Sequence, residues 1–288
     1  MGERLFTHSS IALFQRCPRQ YHYRYREEII KPWATPGARG FGSVIHDCLE
    51  LCLGGKPYEQ VQAHIVENGG RPDQWLQQLA MMDSYYYHHP LEHEPWEVVS
   101  LEDVFHIEEN GYKHAGKVDG LVRMKDTGQL YLLEHKTAGK VSQTYKERIW
   151  HDQQIHRYAR WYGKAKGIQI EGVVYNVLIK IARRRRVKRN EEDEAYLARL
   201  IADYRELQPF LRINIPVHGD TMKATEEHDA MILEMMAKCE EKDVWPKATG
   251  QCEAFHRPCD YLKLCIEHDS PYVREAIYEH KEPHSELK

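Results

Sequence analysis

The clearest structural signal lies in residues 116–136, which read GKVDGLVRMKDTGQLYLLEHK. Apolar residues on either side of the turn sequence Lys-Asp-Thr-Gly predict two short strands joined in a hairpin. Because side chains alternate along a strand, Glu134 and Lys136 emerge on one face and His135 on the other. Asp119 lies on the partner strand and converges with the face of Glu134 and Lys136. The hairpin therefore carries two carboxylates and a lysine to one end of an otherwise apolar sheet.

These residue types indicate phosphodiester hydrolysis assisted by a divalent metal. Mg²⁺ and Mn²⁺ are hard cations that take carboxylate oxygens and keep waters and substrate phosphate as other ligands. Lys136 beside such an ion would orient or deprotonate the attacking water and offset charge in the transition state. The alternative is a structural hairpin, in which Asp119 begins a turn and Glu134 pairs with Lys136 on a solvated face. Since Asp…Glu-x-Lys is a short pattern, the choice depends on the rest of the chain.

Composition restricts the class of protein. The 288 residues are 42% hydrophobic and 29% charged, which is ordinary for a globular protein. The sequence has neither an apolar run of roughly 20 residues nor a secretory signal, and we expect a cytoplasmic protein without a membrane partner. There, clustered cysteines favour metal binding over disulfides. The net charge of −4 means that nucleic-acid binding would need local basic patches.

Helices and strands are predicted on both sides of the hairpin. The pattern predicts strands over 96–106 and 173–181, and helices over 7–28, from Ser43 onward, and over 146–163, 191–211 and 221–241. Cys17-Pro18 is expected to break or kink the first helix. His46 lies near the start of the second helix, and Gln154 and Tyr158 share one face of the third. Each of these residues also has an ordinary structural interpretation as a satisfied histidine or a core contact.

The strongest basic cluster follows the strand at 173–181. It contains Lys180, Arg183, Arg184, Arg185, Arg186, Lys188 and Arg189. Such blocks are often solvated loops, but in a chain of net negative charge this one predicts a phosphate-binding surface for DNA.

Three cysteines, Cys252, Cys259 and Cys265, lie within fourteen residues, and Cys17 is the candidate for a fourth ligand. Four thiolates hold either zinc or an iron–sulfur cluster, and the spacing does not distinguish the two. His256 could replace one cysteine in a zinc site, and unrelated buried cysteines are the structural alternative. With Cys17 as a ligand, the metal would join the two ends of the chain and stabilise the fold.

Together these residues resemble the RecB-like branch of the PD-(D/E)XK nucleases, especially the CRISPR-associated and phage exonucleases that carry an iron–sulfur cluster. The matching motifs run nearly end to end, in the order Cys17-Pro18, Gly42-Ser43-Val44-Ile45-His46, Gly116-Lys117-Val118-Asp119, Glu134-His135-Lys136-Thr137 and Gln154-Ile155-His156-Arg157-Tyr158. One departure is visible in the cysteines. Six residues separate Cys252 from Cys259, where the family commonly has two, whereas the five residues before Cys265 fit.

The resemblance implies an α/β (α+β) fold, with a restriction-endonuclease-like central mixed β-sheet flanked by helices. It implies a single nuclease domain over 1–288, in which 1–40 and 245–270 form a cysteine-cluster subdomain and 279–288 are a flexible tail. It also implies three sets of site residues: metal ligands His46, Asp119 and Glu134 for Mg²⁺ or Mn²⁺; catalytic residues Asp119, Glu134, Lys136, Gln154 and Tyr158; and cluster ligands Cys17, Cys252, Cys259 and Cys265. The cluster would be 4Fe–4S with a structural role, and Zn²⁺ is the alternative.

The implied activity is that of a metal-dependent DNA exonuclease acting on single-stranded ends, encoded by a bacterium, an archaeon or a phage. One alternative is a structure-specific endonuclease or nickase with the same site. Another is a DNA-binding subunit with little turnover, acting with recombination, repair, helicase or CRISPR-integration (spacer-acquisition) proteins. End-labelled and circular single-stranded substrates would separate the first two.

Overall fold

The structure, a computed structural model, describes residues 4–32, 40–186, 190–254 and 257–287. The helices in these ranges are α1 (His8–Arg16), α2 (Pro18–Tyr21), α3 (Phe41–Leu53), α4 (Tyr58–Asn68), α5 (Pro72–His88), α6 (Gln143–Ile149), α7 (Gln153–Lys166), α8 (Asp193–Leu207), α9 (Gly219–Lys242), α10 (Leu262–Ile266) and α11 (Pro271–Ile277). The strands are β1 (Leu5–Phe6), β2 (Ile29–Ile30), β3 (Trp96–Glu109), β4 (Tyr112–Met124), β5 (Leu130–Ala138), β6 (Gly172–Ile179), β7 (Phe210–Pro216), β8 (Glu253–Ala254), β9 (Arg257–Pro258) and β10 (Glu279–His280). Of the helices described, none combines the length and the apolar composition needed to cross a bilayer.

The chain divides into two compact units. The sheet unit comprises Gly37–Asp103 and Lys117–Gly219, and the terminal unit comprises Met1–Pro36, Val104–Gly116 and Asp220–Lys288. The single domain over 1–288 and the subdomain formed by 1–40 and 245–270 stay predictions.

A mixed β-sheet forms the centre of the sheet unit. Strands β4, β5, β6 and β7 are neighbours in that order. The β4–β5 and β6–β7 pairs are antiparallel, and the β5–β6 pair is parallel. A parallel pair needs a long crossover, and here α6 and α7 supply it. Strand β6 is apolar and buried along nearly its whole length, as expected for a central strand with both faces covered.

Helices cover both faces of this sheet. Side chains alternate along β6, so Leu178 and Asn176 point to one face and Tyr175 to the other. Leu178 belongs to an apolar cluster formed largely by α3, α4, α5 and α8. On the opposite face, the Tyr175 hydroxyl lies 3.5 Å from a carboxylate oxygen of Asp152, the residue that precedes α7. The mixed sheet flanked by helices is the architecture implied by the sequence.

Several helix limits differ from the predicted ones. The break at Cys17-Pro18 is present, because Cys17 is extended and Pro18 begins a new helix at a position where no N–H donor is needed. The helix predicted over 146–163 is two helices, and the one predicted over 191–211 ends at Leu207. Residues 210–216 form β7 instead, because their pairing with β6 outweighs the helical pattern.

The polar C-terminal segment, predicted to be a flexible tail, makes contacts in the structure, and its flexibility stays a prediction. Glu279 and His280 pair antiparallel with Ile30 and Ile29, and Leu287 is buried. These contacts all lie within the terminal unit.

Candidate active site

The candidate site lies where β4 and β5 part. Their pairing runs from Arg123–Leu130 to Gly120–Leu133. One residue further, Oδ2 of Asp119 accepts a hydrogen bond of 2.7 Å from the backbone N–H of His135. The carboxylate thus takes the place of a strand carbonyl and fixes Asp119 against β5.

Helix α3 brings His46 to the same place. Its Nδ1 lies 3.5 Å from Oδ1 of Asp119. Burial lowers the pKa of His46, but the hydrogen bond and charge of Asp119, with the charge of Glu134, outweigh burial and raise it. The helix predicted from Ser43 onward begins earlier in the structure, since Gly40 is the residue at its N-cap.

Lys136 lies between Glu134 and Gln154. Its ammonium group pairs with Oε1 of Glu134 and donates a hydrogen bond of 3.1 Å to Oε1 of Gln154. Burial lowers the pKa of Lys136, but the charge and hydrogen bond of Glu134 raise it overall. Lys136 is therefore held as a cation and a hydrogen-bond donor.

The two carboxylates have opposite pKa shifts. Burial raises the pKa of Glu134 to about 7, helped by the charge of Asp119 and opposed by Lys136. For Asp119 burial also acts upward, but the hydrogen bond from His46 and the charge of His135 dominate and lower its pKa to about 2. Two neighbouring buried carboxylates destabilise each other's charged form, and a cation between them would relieve this.

One imidazole and two carboxylates form a donor set that suits Mg²⁺ or Mn²⁺. Within the described ranges, no three histidine, cysteine or acidic side chains are already arranged as ligands of one ion. At this site the Glu134 carboxylate pairs with Lys136, while the Asp119 carboxylate contacts His46 and the backbone of β5. These contacts explain why the three side chains are not yet arranged around one ion. The residue types fit a divalent cation, and Glu134 already accepts from Lys136 at its Oε1.

Helix α7 presents the two remaining predicted residues. Asp152 caps the helix, its Oδ1 accepting a hydrogen bond of 2.9 Å from the backbone N–H of Gln154. The cap fixes the first turn, so Gln154 faces Lys136. Tyr158 follows one turn later on the same face and is half-buried.

Asp152 and Tyr175 also belong to this site, although the sequence motifs did not indicate them. Oδ1 of Asp152 accepts the hydrogen bond from the first turn of α7, and Oδ2 of Asp152 lies 3.5 Å from the Tyr175 hydroxyl. An aspartate directly before a helical pattern is a recognisable N-cap, so the signal was present. Tyr175 is one apolar-looking residue in a buried strand, and only the register Glu134–Tyr175 brings it to the site.

A buried polar network supports β5 from the opposite face. Asn176 lies with its amide nitrogen 3.0 Å from Nδ1 of His135, and it donates a 3.1 Å hydrogen bond to the Tyr85 hydroxyl. Arg212 donates to both oxygens of Glu94, at 2.6 and 2.8 Å, and to Tyr85 at 2.7 Å. Burial lowers the pKa of His135 to about 4, which keeps the imidazole neutral and able to accept from Asn176.

Asn176→Leu should lower the free energy of unfolding by about 2–4 kcal/mol, because it leaves Nδ1 of His135 without this buried partner and removes one hydrogen bond each from Tyr85 and Arg212. Urea denaturation followed by circular dichroism measures this. Gln143→Leu is the matched control, since that amide is exposed and hydrogen-bonds to Glu147 on the same helix. Equal losses for the two variants would contradict a supporting role of the network.

Comparison with known proteins identifies the family. The sequence model of the PD-(D/E)XK nuclease superfamily matches residues 5–265. The chain belongs to this superfamily. The match includes His46, Asp119, Glu134 and Lys136, and it supports a nuclease activity for the chain. No curated protein compared with the chain matches it.

One solved structure has a similar fold. A Eubacterium rectale protein described as a candidate exonuclease is similar, with a TM-score of 0.52 and 10% identity, over 92% of this chain and 87% of that one. At this identity the likeness concerns the fold alone. A second structure, SSO0001, has a TM-score of 0.32 and 16% identity over 81% of this chain and 78% of its own, and carries no argument.

The basic cluster of this PD-(D/E)XK chain is partly neutralised. Ion pairs join Arg183 to Asp203 at 2.9 Å, and Arg185 to Asp73 at 3.0 Å and Asp193 at 2.5 Å. The side chains of Arg184 and Arg186 are exposed, while Lys188 and Arg189 lie outside the described residues. The phosphate-binding role stays a prediction, and it now depends most on Arg184 and Arg186.

The unusual spacing between two cysteines has a structural explanation. Cys252 directly precedes β8 and Cys259 directly follows β9, and these strands pair antiparallel. The backbone N–H of Cys259 donates a 2.8 Å hydrogen bond to the carbonyl of Cys252. The antiparallel pairing of residues 253–254 with 257–258 therefore brings the two cysteines side by side. His256 lies outside the described residues.

Cys17 approaches the C-terminal cysteines within the terminal unit. Its thiol interacts electrostatically with those of Cys259 and Cys265. Gln20, one turn after Cys17, places its amide nitrogen 2.7 Å from Sγ of Cys259. Burial raises the pKa of the Cys259 and Cys265 thiols. In the part of the chain that the structure describes, these thiols do not form a preassembled metal site.

Proposed function

We propose that the chain is a divalent-metal-dependent deoxyribonuclease of the RecB-like branch that hydrolyses phosphodiester bonds at single-stranded DNA ends. The observation that carries this proposal is the placement of the Lys136 ammonium group between Glu134 and Gln154, beside the Asp119–His46 pair. In that branch a Gln-x-x-x-Tyr helix lies by the active site, and the contact from Gln154 to Lys136 is what such a helix would provide.

His46, Asp119 and Glu134 would hold Mg²⁺ or Mn²⁺. The bound ion supplies Lewis acidity toward the scissile phosphate and lowers the pKa of a coordinated water. Asp119 is already fixed by the His135 N–H, so one ligand is held in place before the ion binds. Glu134 pairs with Lys136 through Oε1, so its Oε2 would serve as the ligand while the ammonium group stays beside the site.

Lys136 then donates to the attacking water or to a phosphate oxygen. Its raised pKa keeps it charged, so its role is orientation and charge stabilisation rather than proton removal. Gln154 keeps the ammonium group aimed at the site, and Asp152 keeps Gln154 in place. Tyr158, one turn further, would contact the phosphate or Lys136. Arg184 and Arg186 would bind the DNA backbone.

We further propose that Cys17, Cys252, Cys259 and Cys265 hold a 4Fe–4S cluster, with Zn²⁺ as the alternative. Two observations support a shared site. The pairing of β8 with β9 brings Cys252 beside Cys259, and the Cys17 thiol interacts electrostatically with those of Cys259 and Cys265. Soft thiolate ligands suit both groups. The cluster would stabilise the terminal unit by linking segments far apart in the sequence.

Removing divalent metal should abolish cleavage. Protein prepared anaerobically and treated with EDTA should leave 5′- and 3′-labelled single strands intact, and Mn²⁺ or Mg²⁺ should restore cleavage. The same assay on duplex and on circular single-stranded DNA defines the substrate. Cleavage of circular DNA would show an endonuclease. Cleavage that persists in EDTA would contradict the proposal, and so would the absence of cleavage of any substrate by metal-loaded protein.

A further inference from the structure

Trp150 is a large aromatic side chain held in solvent by a fixed turn. It lies between α6 and α7 and is 46% exposed. Three backbone hydrogen bonds of 3.0 to 3.2 Å define the turn. The N–H groups of residues 150, 151 and 152 donate to the carbonyls of residues 147, 148 and 149, respectively. The buried ring of His156 lies 3.2 Å from the Trp150 carbonyl. The exposure of the indole is therefore a property of a well-supported segment.

This turn is joined directly to the candidate active site. Trp150 comes two residues before Asp152 and four before Gln154, so its Cα lies at most about 14 Å from that of Gln154. Tyr145 on α6 interacts with the Tyr175 hydroxyl, which also contacts Asp152. Contacts through Tyr175 and Asp152 thus link the residues before α7 to the site of Lys136.

Several cationic side chains precede Trp150 in the chain, with the exposed acid Glu147 among them. Lys140, Lys146 and Arg148 are exposed, and the guanidinium of Arg148 lies 5.7 Å from the centre of the Tyr145 ring. Within the described ranges none of these three forms an ion pair, in contrast to Arg183 and Arg185, so their charges stay available for phosphate. We name Lys140, Tyr145, Lys146, Arg148 and Trp150 the aromatic–basic surface.

We propose that the aromatic–basic surface binds unpaired nucleotides next to the scissile phosphate, with Trp150 stacked on a base. The inference rests on the proposed nuclease function and adds the side chains that would recognise the unpaired strand. A base inside a duplex is already covered on both faces, so an indole stacks only on a base that has left the stack. Cations track the backbone while the aromatic ring holds the base, which is the usual way to bind single strands without sequence preference.

Binding can be measured without cleavage. In the Asp119→Ala background with EDTA, fluorescence anisotropy of a labelled oligo-dT should show about tenfold weaker binding after Trp150→Ala, and under twofold change for a duplex of equal length. Trp150→Phe should recover most of the loss. Tyr87→Ala is the matched control. Tyr87 lies on α5, on the other face of the sheet, is 64% exposed, and packs against the guanidinium of Arg205 on α8. This variant should leave binding unchanged.

A second measurement locates the stacked base. A single abasic site is moved along the oligonucleotide, and at one position it should weaken binding by the same factor as Trp150→Ala. At that position, combining the abasic site with Trp150→Ala should weaken binding no further than either change alone.

Equal effects of Trp150→Ala on single strands and duplex, or additivity at every abasic position, would overturn the proposal. If the wild-type chain cuts no DNA but these binding results hold, the proposed function fails and the surface stands. If it cuts DNA and Trp150→Ala leaves binding unchanged, the surface fails and the proposed function stands.

Discussion

Lys136→Met should lower the rate of DNA cleavage about 10³-fold, while single-strand affinity changes by less than about threefold. The variant removes the ammonium group between Glu134 and Gln154, and with it a donor for the water or phosphate. Single-turnover cleavage of an end-labelled strand, with anisotropy for affinity, separates the two effects. Asp119→Ala should be at least as damaging, because it removes a metal ligand and the anchor to β5.

Two further variants keep this result interpretable. Lys136→Arg retains the charge but changes its reach and geometry, so cleavage should still fall strongly even if the protein is as stable as wild type. Lys125→Met is the matched control, since Lys125 lies in the turn of the same hairpin and donates to a backbone carbonyl, that of Glu92. Undiminished cleavage by Lys136→Met or by Asp119→Ala would exclude the assigned catalytic centre.

Cys259→Ala should remove the brown colour and broad visible absorption expected of an iron–sulfur protein. It should also lower the melting temperature of the chain by more than about 10 °C, since metal binding contributes directly to folding. Cys17→Ala should have the same effect, although Cys17 lies at the other end of the sequence. The reason is that its thiol interacts electrostatically with those of Cys259 and Cys265. Absorption spectra, iron and zinc analysis, and thermal unfolding provide the measurements.

Cys239→Ala is the control for the cysteine variants. Cys239 lies in the terminal unit on α9 and is not one of the four proposed ligands, so colour and metal content should be unchanged. A colourless wild-type protein that releases zinc would exclude the 4Fe–4S cluster and leave a zinc site on the same thiols. Wild-type protein without either metal would contradict the shared site altogether.

Local rules explain how much of the fold was predictable. The hairpin, with Glu134 and Lys136 on one face, follows from the two-residue period of a strand and the turn chemistry of residues 125–128. The break at Cys17-Pro18 follows from the missing N–H of proline. Both depend on dihedral angles and hydrogen bonds among neighbours, and the sequence alone contains that information.

Strand β7 and the segment at 279–287 were not predictable in the same way. The helix predicted over 191–211 extended into this segment, and residues 210–216 become a strand because they pair with β6. Glu279 and His280 look solvated but pair with Ile30 and Ile29, far away in the sequence. Backbone hydrogen bonds with a distant partner leave no local pattern to recognise.

The candidate site shows the same division. Residue chemistry indicates Asp119, Glu134 and Lys136, and the motif order, through its resemblance to the PD-(D/E)XK nucleases, adds His46, Gln154 and Tyr158. Only the tertiary structure decided that Glu134 pairs with Lys136, that Asn176 and Arg212 support β5 from behind, and that Arg183 and Arg185 pair their charges with carboxylates. Ion pairs and buried hydrogen bonds depend on distances between residues far apart in the chain. The sequence determined which groups are present, and the packing of helices on the sheet determined which of them meet.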